Sequence, residues 1–449
     1  MLPFMPNAHI LQPIDSLLHC RYLLPVLPED ALLEHHSVAI KNGKIVAIKP
    51  RVEAEKLYVA DQLVELDKHI VLPGLINSHS HAAMSLLRGY ANDLALMDWL
   101  QNHIWPIEKR WVSDAFVFDG TQLAIAEMLQ SGTTCFSDMY FFPEAAARAV
   151  MDAGLRCQLA FSIFDFPCNW GSGPEEYLEK GLALFDQYRG SERVHIAFGP
   201  HAPYTVGDDT LKKVVMLAEE MDACIHIHLQ ETQLEVDGAL TESGVRPIER
   251  MRRLGLLSPR TQCVHMTALN DDDIQIIADS GSHVVHCPES NLKLASGFCP
   301  VDKLQKSGVN VAIGTDGAAS NDDLDLFSEI RTAALLAKAV ASDATALKAH
   351  AALRMATING ARALGLDHLI GSLEAGKQAD IIAVSIDDLS ALPLYDPASL
   401  LVYTNSGARV SDVWVAGRRL LHSGLLTTLN EGVLAAKARA WGQKILNAK

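Results

Sequence analysis

The sequence predicts an α/β protein: a (β/α)8 barrel of the TIM type, beside a small β-sandwich formed by the N- and C-terminal segments. Three observations predict it. From residue 70 the chain alternates short apolar runs with helical stretches, and eight such runs follow one another. Five of the runs end in His or Asp, and the carboxyl ends of barrel strands are where that fold gathers its chemistry. Both flanks carry short β-type runs with turn residues and lack the helical rhythm.

These changes of pattern divide the chain into residues 1–68, the N-terminal part of the sandwich; 69–367, the barrel; and 368–449, the C-terminal part plus a closing helix. In the first segment, "HSVAIKNGKIVAIKP" sets two β runs around Asn42-Gly43, a dipeptide suited to the positive φ angles of a two-residue hairpin. That part is expected to be an antiparallel module. The eight barrel strands are then read in "IVLPGLINSHSH", "GTTCFSDMY", "LRCQLAFSIF", "VHIAFGPH", "CIHIHLQE", "TQCVHMT", "SHVVHCPES" and "VNVAIGTDG". Between the fourth and fifth, "DDTLKKVVMLAEEMDA" recurs at helical spacing through Leu211, Val214, Val215, Ala218 and Met221, behind an acidic first turn that suits the helix dipole. After the barrel, "ADIIAVSIDD" and "VSDVWVAGRRLLHSG" return to β runs, and a last helix is expected over Leu434 to Ala448.

The 449 residues are 49% hydrophobic and 20% charged, the balance of an ordinary soluble globular chain. A formal net charge of −16 with no basic block argues against nucleic acid or an anionic membrane as partner and favours a small-molecule ligand. No apolar run is long enough to span a bilayer. The eight cysteines are scattered without a C-x-x-C pair, as reduced thiols are, and the opening residues lack the early Lys or Arg of a signal peptide. A cytoplasmic location is expected, and a homo-oligomer is compatible with all of this.

His79 and His81 in "NSHSH" stand two apart at a strand end, so the period-2 geometry points both toward the barrel interior. His228 ends the fifth strand and Asp316 the eighth. Three imidazoles and a carboxylate, with room for a water, make an open zinc-type catalytic site. His226 lies one pleat deeper, where it packs or supports the site. Glu231, past the strand end in "HLQET", can fold over a metal-held water as a general acid/base, and His265 in "VHMT" can hold or deprotonate that water from the other side.

The stretches "PGLINSHSHAAMSLLRG", "HIHLQET", "VHCPESNLKLASG" and "GTDGAASNDDLDLFSEIR" closely resemble the metal-dependent amidohydrolases, in the branch that deaminates 5′-methylthioadenosine and S-adenosylhomocysteine. The resemblance spans nearly the whole chain. It implies one Zn2+ per subunit, with other divalent transition metals able to substitute, held by His79, His81, His228 and Asp316. The fourth strand ends "FGPHAPYT" without the lysine that bridges two metals in other members, so a mononuclear site is expected. It also implies catalytic roles for Glu231, which protonates purine N1, for His265, and for Asp316, which shuttles a proton to the leaving ammonia. Glu108 in "IWPIEKRW" corresponds to the glutamate that holds the ribose hydroxyls, and His201 in "GPHAPYT" to a substrate-contacting histidine. Ser290, Asn291 and Ser320 are candidates for the purine edge or for turn capping; Trp99, Trp105 and Trp170 for stacking or for core packing.

Relatives that take S-adenosylhomocysteine well pair its carboxylate with arginines after the third strand. Here that region, "FSIFDFPCNWGSGPEEYLEKG", has none, and Phe164, Phe166 and Trp170 suit a methylthio group. The expected reaction is hydrolytic deamination of 5′-methylthioadenosine, with S-adenosylhomocysteine or adenosine slower. The alternatives are a free-base deaminase acting on guanine or 8-oxoguanine, a triazine hydrolase, and a non-catalytic scaffold. Glu108 weighs against the first two, and the complete ligand set against the last. A closed structural zinc site would recruit cysteines, and none of the four ligands is one.

Overall fold

A computed structural model describes residues 11–447. The first ten residues of the opening stretch and the expected helix end at Ala448 lie outside the described residues.

The chain opens with strands β1 (Gln12–Leu23), β2 (Leu33–Lys41) and β3 (Lys44–Pro50) in antiparallel order, followed by β4 (Tyr58–Pro73). Asn42 and Gly43 take φ of 51° and 75°, so the β2–β3 hairpin forms where this dipeptide predicts it. The expectation of a wholly antiparallel module is corrected at β4, which pairs parallel with β1. The cause is the helix Arg51–Leu57, which carries the chain back along β3 so that the next strand runs the same way again.

The barrel strands are β5 (Leu75–Ser80), β6 (Thr133–Asp138), β7 (Arg156–Ile163), β8 (Val194–Pro200), β9 (Ile225–Leu229), β10 (Thr261–His265), β11 (His283–His286) and β12 (Val311–Ile313). They lie in sequence order and every pairing is parallel. One boundary shifts: the apolar "IVLP" belongs to β4 in the other sheet, and the chain enters the barrel only after Gly74. No side chain fits at Gly74, because a Cβ would stand 2.1 Å from Thr134 Oγ1.

Between β12 and β5 the barrel is sealed by a side chain. Asn77 accepts from the Thr315 amide at 3.0 Å and donates to Thr315 Oγ1 at 2.7 Å, while the Asp316 amide donates to the His79 carbonyl at 3.0 Å. Gly314 lets the strands approach, since a Cβ there would meet His79 N at 2.7 Å. This seam brings the residues of the first and last barrel strands into one cluster.

Strands β13 (Ile381–Ser385), β14 (Val410–Val415), β15 (Arg418–His422) and β16 (Leu425–Leu426) complete the second sheet, whose order is β16-β15-β14-β13-β4-β1-β2-β3. β4 lies between β1 and β13, so the two ends of the chain meet on it. Leu18, Val38, Ile40, Ile45, Val71, Ile381 and Trp414 form the apolar core of this part. A buried ion pair ties the sheet to the barrel: Arg156 Nε donates to Asp380 Oδ2 at 3.0 Å, and the Ala416 amide donates to Asp380 Oδ1 at 2.7 Å.

The amphipathic helix predicted after the fourth barrel strand runs Asp208–Glu220 and buries Leu211, Val214 and Ala218. The closing helix runs Glu431–Leu446. Among the described residues no helix is long and apolar enough to cross a membrane.

Candidate active site

His79, His81, His228 and Asp316 converge at the carboxyl ends of β5, β9 and β12. His79 Nε2 lies 3.3 Å from His228 Nε2 and 3.4 Å from Asp316 Oδ1, and His81 Nε2 lies 3.3 Å from the same oxygen. The other ring nitrogens are occupied. His81 Nδ1 is 2.6 Å from the Met139 carbonyl and His228 Nδ1 is 2.8 Å from the His201 carbonyl. A carbonyl only accepts, so both rings carry their proton on Nδ1 and turn a bare Nε2 inward. Burial and the surrounding rings hold His228 well below the ordinary histidine range, so it is neutral, the form that binds metal.

Electron-pair donors this close, with no positive charge between them, repel one another. They become complementary around a cation. Three of these separations match donors that share an ion with bonds of about 2.0–2.1 Å, and the mutually close sets are His79, His81 and Asp316, and His79, His228 and His265, with His79 common to both. The donor set therefore fits a divalent ion that favours imidazole and carboxylate.

Asp316 sits at φ 62°, a left-handed conformation that Asp, with its short polar side chain, adopts more readily than most residues. Its Oδ1 accepts from the Gly317 amide at 2.8 Å and its Oδ2 from Ser290 Oγ at 2.6 Å.

Glu231 is brought over this cluster by a turn in which Gln230 takes φ 48°. Its carboxyl accepts from Ser296 Oγ at 3.1 Å and lies 3.7 Å from His265 Nε2. Burial raises its pKa, as does Asp316, against the pull of His265. His265, at φ 73°, pairs its Nδ1 with the Asn291 side-chain amide at 3.1 Å and turns its Nε2 toward Glu231.

Sequence reasoning missed Glu235. Its two carboxyl oxygens accept from the Gln230 and Glu231 amides at 3.0 and 2.9 Å and so fix the turn that aims Glu231. The available signal was "TQLE", a Thr cap with Glu three residues on. Also missed was Asp138, which accepts from the Ala82 amide at 2.6 Å and holds the turn carrying His81.

A cavity opens on the cluster, with His81, Glu231, His265 and Asp316 in its wall together with Glu108 and His201. Glu108 stands on the helix Trp105–Trp111 and accepts from Tyr140 Oη at 2.7 Å. Burial pushes its carboxyl up to about 7, against the Tyr140 hydrogen bond and His81, which lower it. Ahead of that helix, Trp99–Ile104 form a six-residue π-helical stretch, a widened turn of the kind often found at functional sites. It faces Trp99, Leu100 and Ile104 into the cavity, and Trp105 joins them from the helix that follows. His201 is pushed down to about 3 by burial and by His81 and His265, so it is neutral, and its ring lies 4.9 Å from that of Phe164.

The readings left open are decided by position, and the expected methylthio pocket is corrected. Ser290 and Ser320 do not reach the cavity: Ser290 Oγ bonds Asp316 and Ser320, and Asn291 bonds His265, so these residues brace the site from behind. Trp170 is core, stacked on Tyr177 with its indole N–H on Glu144. Phe166 lines an adjoining, more open cavity rather than this one. Of the three aromatic residues expected around a methylthio group, only Phe164 is in place.

The profile of the amidohydrolase family matches residues 70–420, and the chain belongs to that family. Within it, the chain is 53% identical over 433 residues to the 5-methylthioadenosine/S-adenosylhomocysteine deaminase of Saccharophagus degradans, covering 96% of this chain and 97% of the relative. The deaminase of the same name from Teredinibacter turnerae is 52% identical over 96% of this chain and 98% of its own. Among solved structures, a zinc-bound adenosine deaminase from Xanthomonas campestris superposes with a TM-score of 0.97 at 47% identity, over 98% of this chain and all of the other. An atrazine chlorohydrolase from Arthrobacter aurescens, with a TM-score of 0.89 at 24% identity over 95% of this chain and 99% of its own, shares the fold.

Proposed function

We propose that the chain is a zinc-dependent hydrolytic deaminase that converts 5′-methylthioadenosine to its inosine derivative and ammonia. The observation that carries this reading is the composition of one cavity: a metal-type donor cluster and the paired Glu231 and His265 share it with a buried carboxylate, Glu108, suited to two hydroxyls. The names of the relatives, 5-methylthioadenosine/S-adenosylhomocysteine deaminases, support the same reaction.

His79, His81, His228 and Asp316 would hold one ion per subunit, with His265 beside His79 and His228. Bound there, a divalent ion lowers the pKa of a coordinated water toward neutrality and so supplies a nucleophile at pH 7. Glu231, raised by burial, keeps a proton at pH values where an exposed glutamate has lost it, and delivers it to purine N1 as oxygen adds at C6. His265 orients the attacking water. Asp316, braced by Ser290, accepts a proton and passes it to the C6 amino group. The C6–N bond then breaks and ammonia leaves, while the C6 hydroxyl becomes the carbonyl and its proton returns to Glu231.

Glu108 accepts the ribose 2′ and 3′ hydroxyls, and an empty pair of buried acceptors penalises a free base. No Arg or Lys is among the described residues lining the cavity, which leaves the amino-acid carboxylate of S-adenosylhomocysteine without a cationic partner. Arg250, in the adjoining cavity, is engaged with Asp208 and the Pro203 and Val206 carbonyls.

The test is ammonia release from 5′-methylthioadenosine, S-adenosylhomocysteine, adenosine, adenine and guanine, compared on zinc-loaded protein. We expect the methylthio nucleoside to lead and free bases to be inert. Guanine in front would sink the substrate assignment. Glu231→Gln should keep its zinc and lose turnover on the order of 10²–10⁴-fold; retained activity would reassign the acid.

A further inference from the structure

We infer that His226 is a positioning residue that sets the tautomer of His79 through a hydrogen-bond chain crossing the barrel interior and ending on the Leu364 carbonyl.

The chain has four links. His79 Nδ1 lies 2.8 Å from His226 Nε2, and His226 Nδ1 lies 2.5 Å from Gln262 Oε1. Gln262 Nε2 donates to Gln158 Oε1 at 2.8 Å, and Gln158 Nε2 donates to the Leu364 carbonyl at 3.2 Å. His79, His226, Gln262 and Gln158 come from β5, β9, β10 and β7, and all four are at most 2% exposed. The His79 and His226 rings are within 21° of coplanar with centroids 5.0 Å apart, an arrangement that lets a ring lone pair lie along the facing N–H.

Each internal link is reversible. A neutral imidazole can carry its proton on either nitrogen, and an amide can turn over. The Leu364 carbonyl can only accept. With that end fixed, Gln158 donates to Leu364 and offers its oxygen to Gln262, which offers its oxygen to His226. His226 therefore holds its proton on Nδ1 and presents a lone pair to His79 Nδ1–H. The lone pair of His79 is left on Nε2, facing His228 and Asp316.

Ligand histidines commonly have a carboxylate or carbonyl in this position. A neutral imidazole does the same work without a second negative charge beside the cluster, and the direction of the bond is imposed from across the barrel. The inference rests on the reading of His79 as a metal ligand.

Three variants test it: His226→Leu, which removes the acceptor; His226→Gln, whose Oε1 can face His79 and whose Nε2 can face Gln262; and Gln262→Leu, which touches no ligand. Zinc dissociation constants are measured by chelator competition, the cobalt-substituted proteins by their visible spectra, and the metal-free proteins by thermal melting. We expect His226→Leu and Gln262→Leu to weaken zinc binding on the order of 10–100-fold and to change the cobalt spectrum. His226→Gln should stay within about threefold of the parent, since it keeps both hydrogen bonds. If His226→Leu fails to fold, Gln262→Leu supplies the readout. The inference is overturned if Leu and Gln at position 226 bind zinc alike, or if the losses follow the metal-free melting temperatures. A parent protein that binds no zinc at all would remove the metal reading itself, and this inference with it.

Discussion

Glu108 shows how burial sets charge before a substrate arrives. Its carboxyl is pushed up to about 7, so it gains its proton within the physiological range. A protonated carboxyl offers fewer acceptors to two ribose hydroxyls. We therefore expect kcat/KM for a riboside to fall as pH drops through about 7, and Glu108→Gln to flatten that limb while raising KM. The same shift has a stability sign. The folded chain binds this proton more tightly than the unfolded one, so stability declines as pH rises from about 4.5 to about 7, and the full cost, about 3 kcal/mol at most, stands above that range. Glu108→Gln should accordingly melt higher than the parent at pH 8. At this scale the sequence was legible where residues stand at strand ends, as His79, His228 and Asp316 do. It was silent on partners. Tyr140 beside Glu108, and His226 beside His79, are 32 and 147 residues away in the chain, and no local pattern encodes such contacts.

The β5–β12 seam works at the scale of elements. Asn77 and Thr315 stitch the two strands, and Gly314 lets His79 Nε2 and Asp316 Oδ1 come within 3.4 Å of each other. Gly314→Ala would put a methyl 2.7–2.8 Å from the His79 backbone and Cβ. We expect it to cost about 1–3 kcal/mol by overpacking and to lower zinc occupancy; melting curves and metal analysis on the same samples check both. The barrel strands themselves were readable because a strand's apolar pattern is local. The seam was not, because its partners lie 238 residues apart. Hydropathy likewise sees "IVLPGLIN" as one run, while the chain changes sheets at Gly74. Nor does it give strand direction: β4 runs parallel to β1 because of the seven-residue helix before it.

At the scale of the molecule, the barrel and the second sheet are joined by Arg156 and Asp380, a guanidinium with no exposed surface on a carboxylate nearly as buried. Removing one partner strands the other charge. Arg156→Met should lower stability by about 3–5 kcal/mol, and adding Asp380→Leu should recover part of that loss; chemical denaturation of the single and double variants checks it. The sequence signalled a second β unit from both chain ends but gave no hint of this pair. β4 carries a further consequence, one of time. It is made before the barrel, yet its neighbour β13 pairs Ala383 with Val71. At 5–20 residues per second, roughly 15–60 s of synthesis separate the two. Throughout that interval one edge of β4 is an open template for any other strand. A half-built sheet therefore stands with an unpaired edge on every growing chain until the last sixth of the polypeptide arrives to cover it.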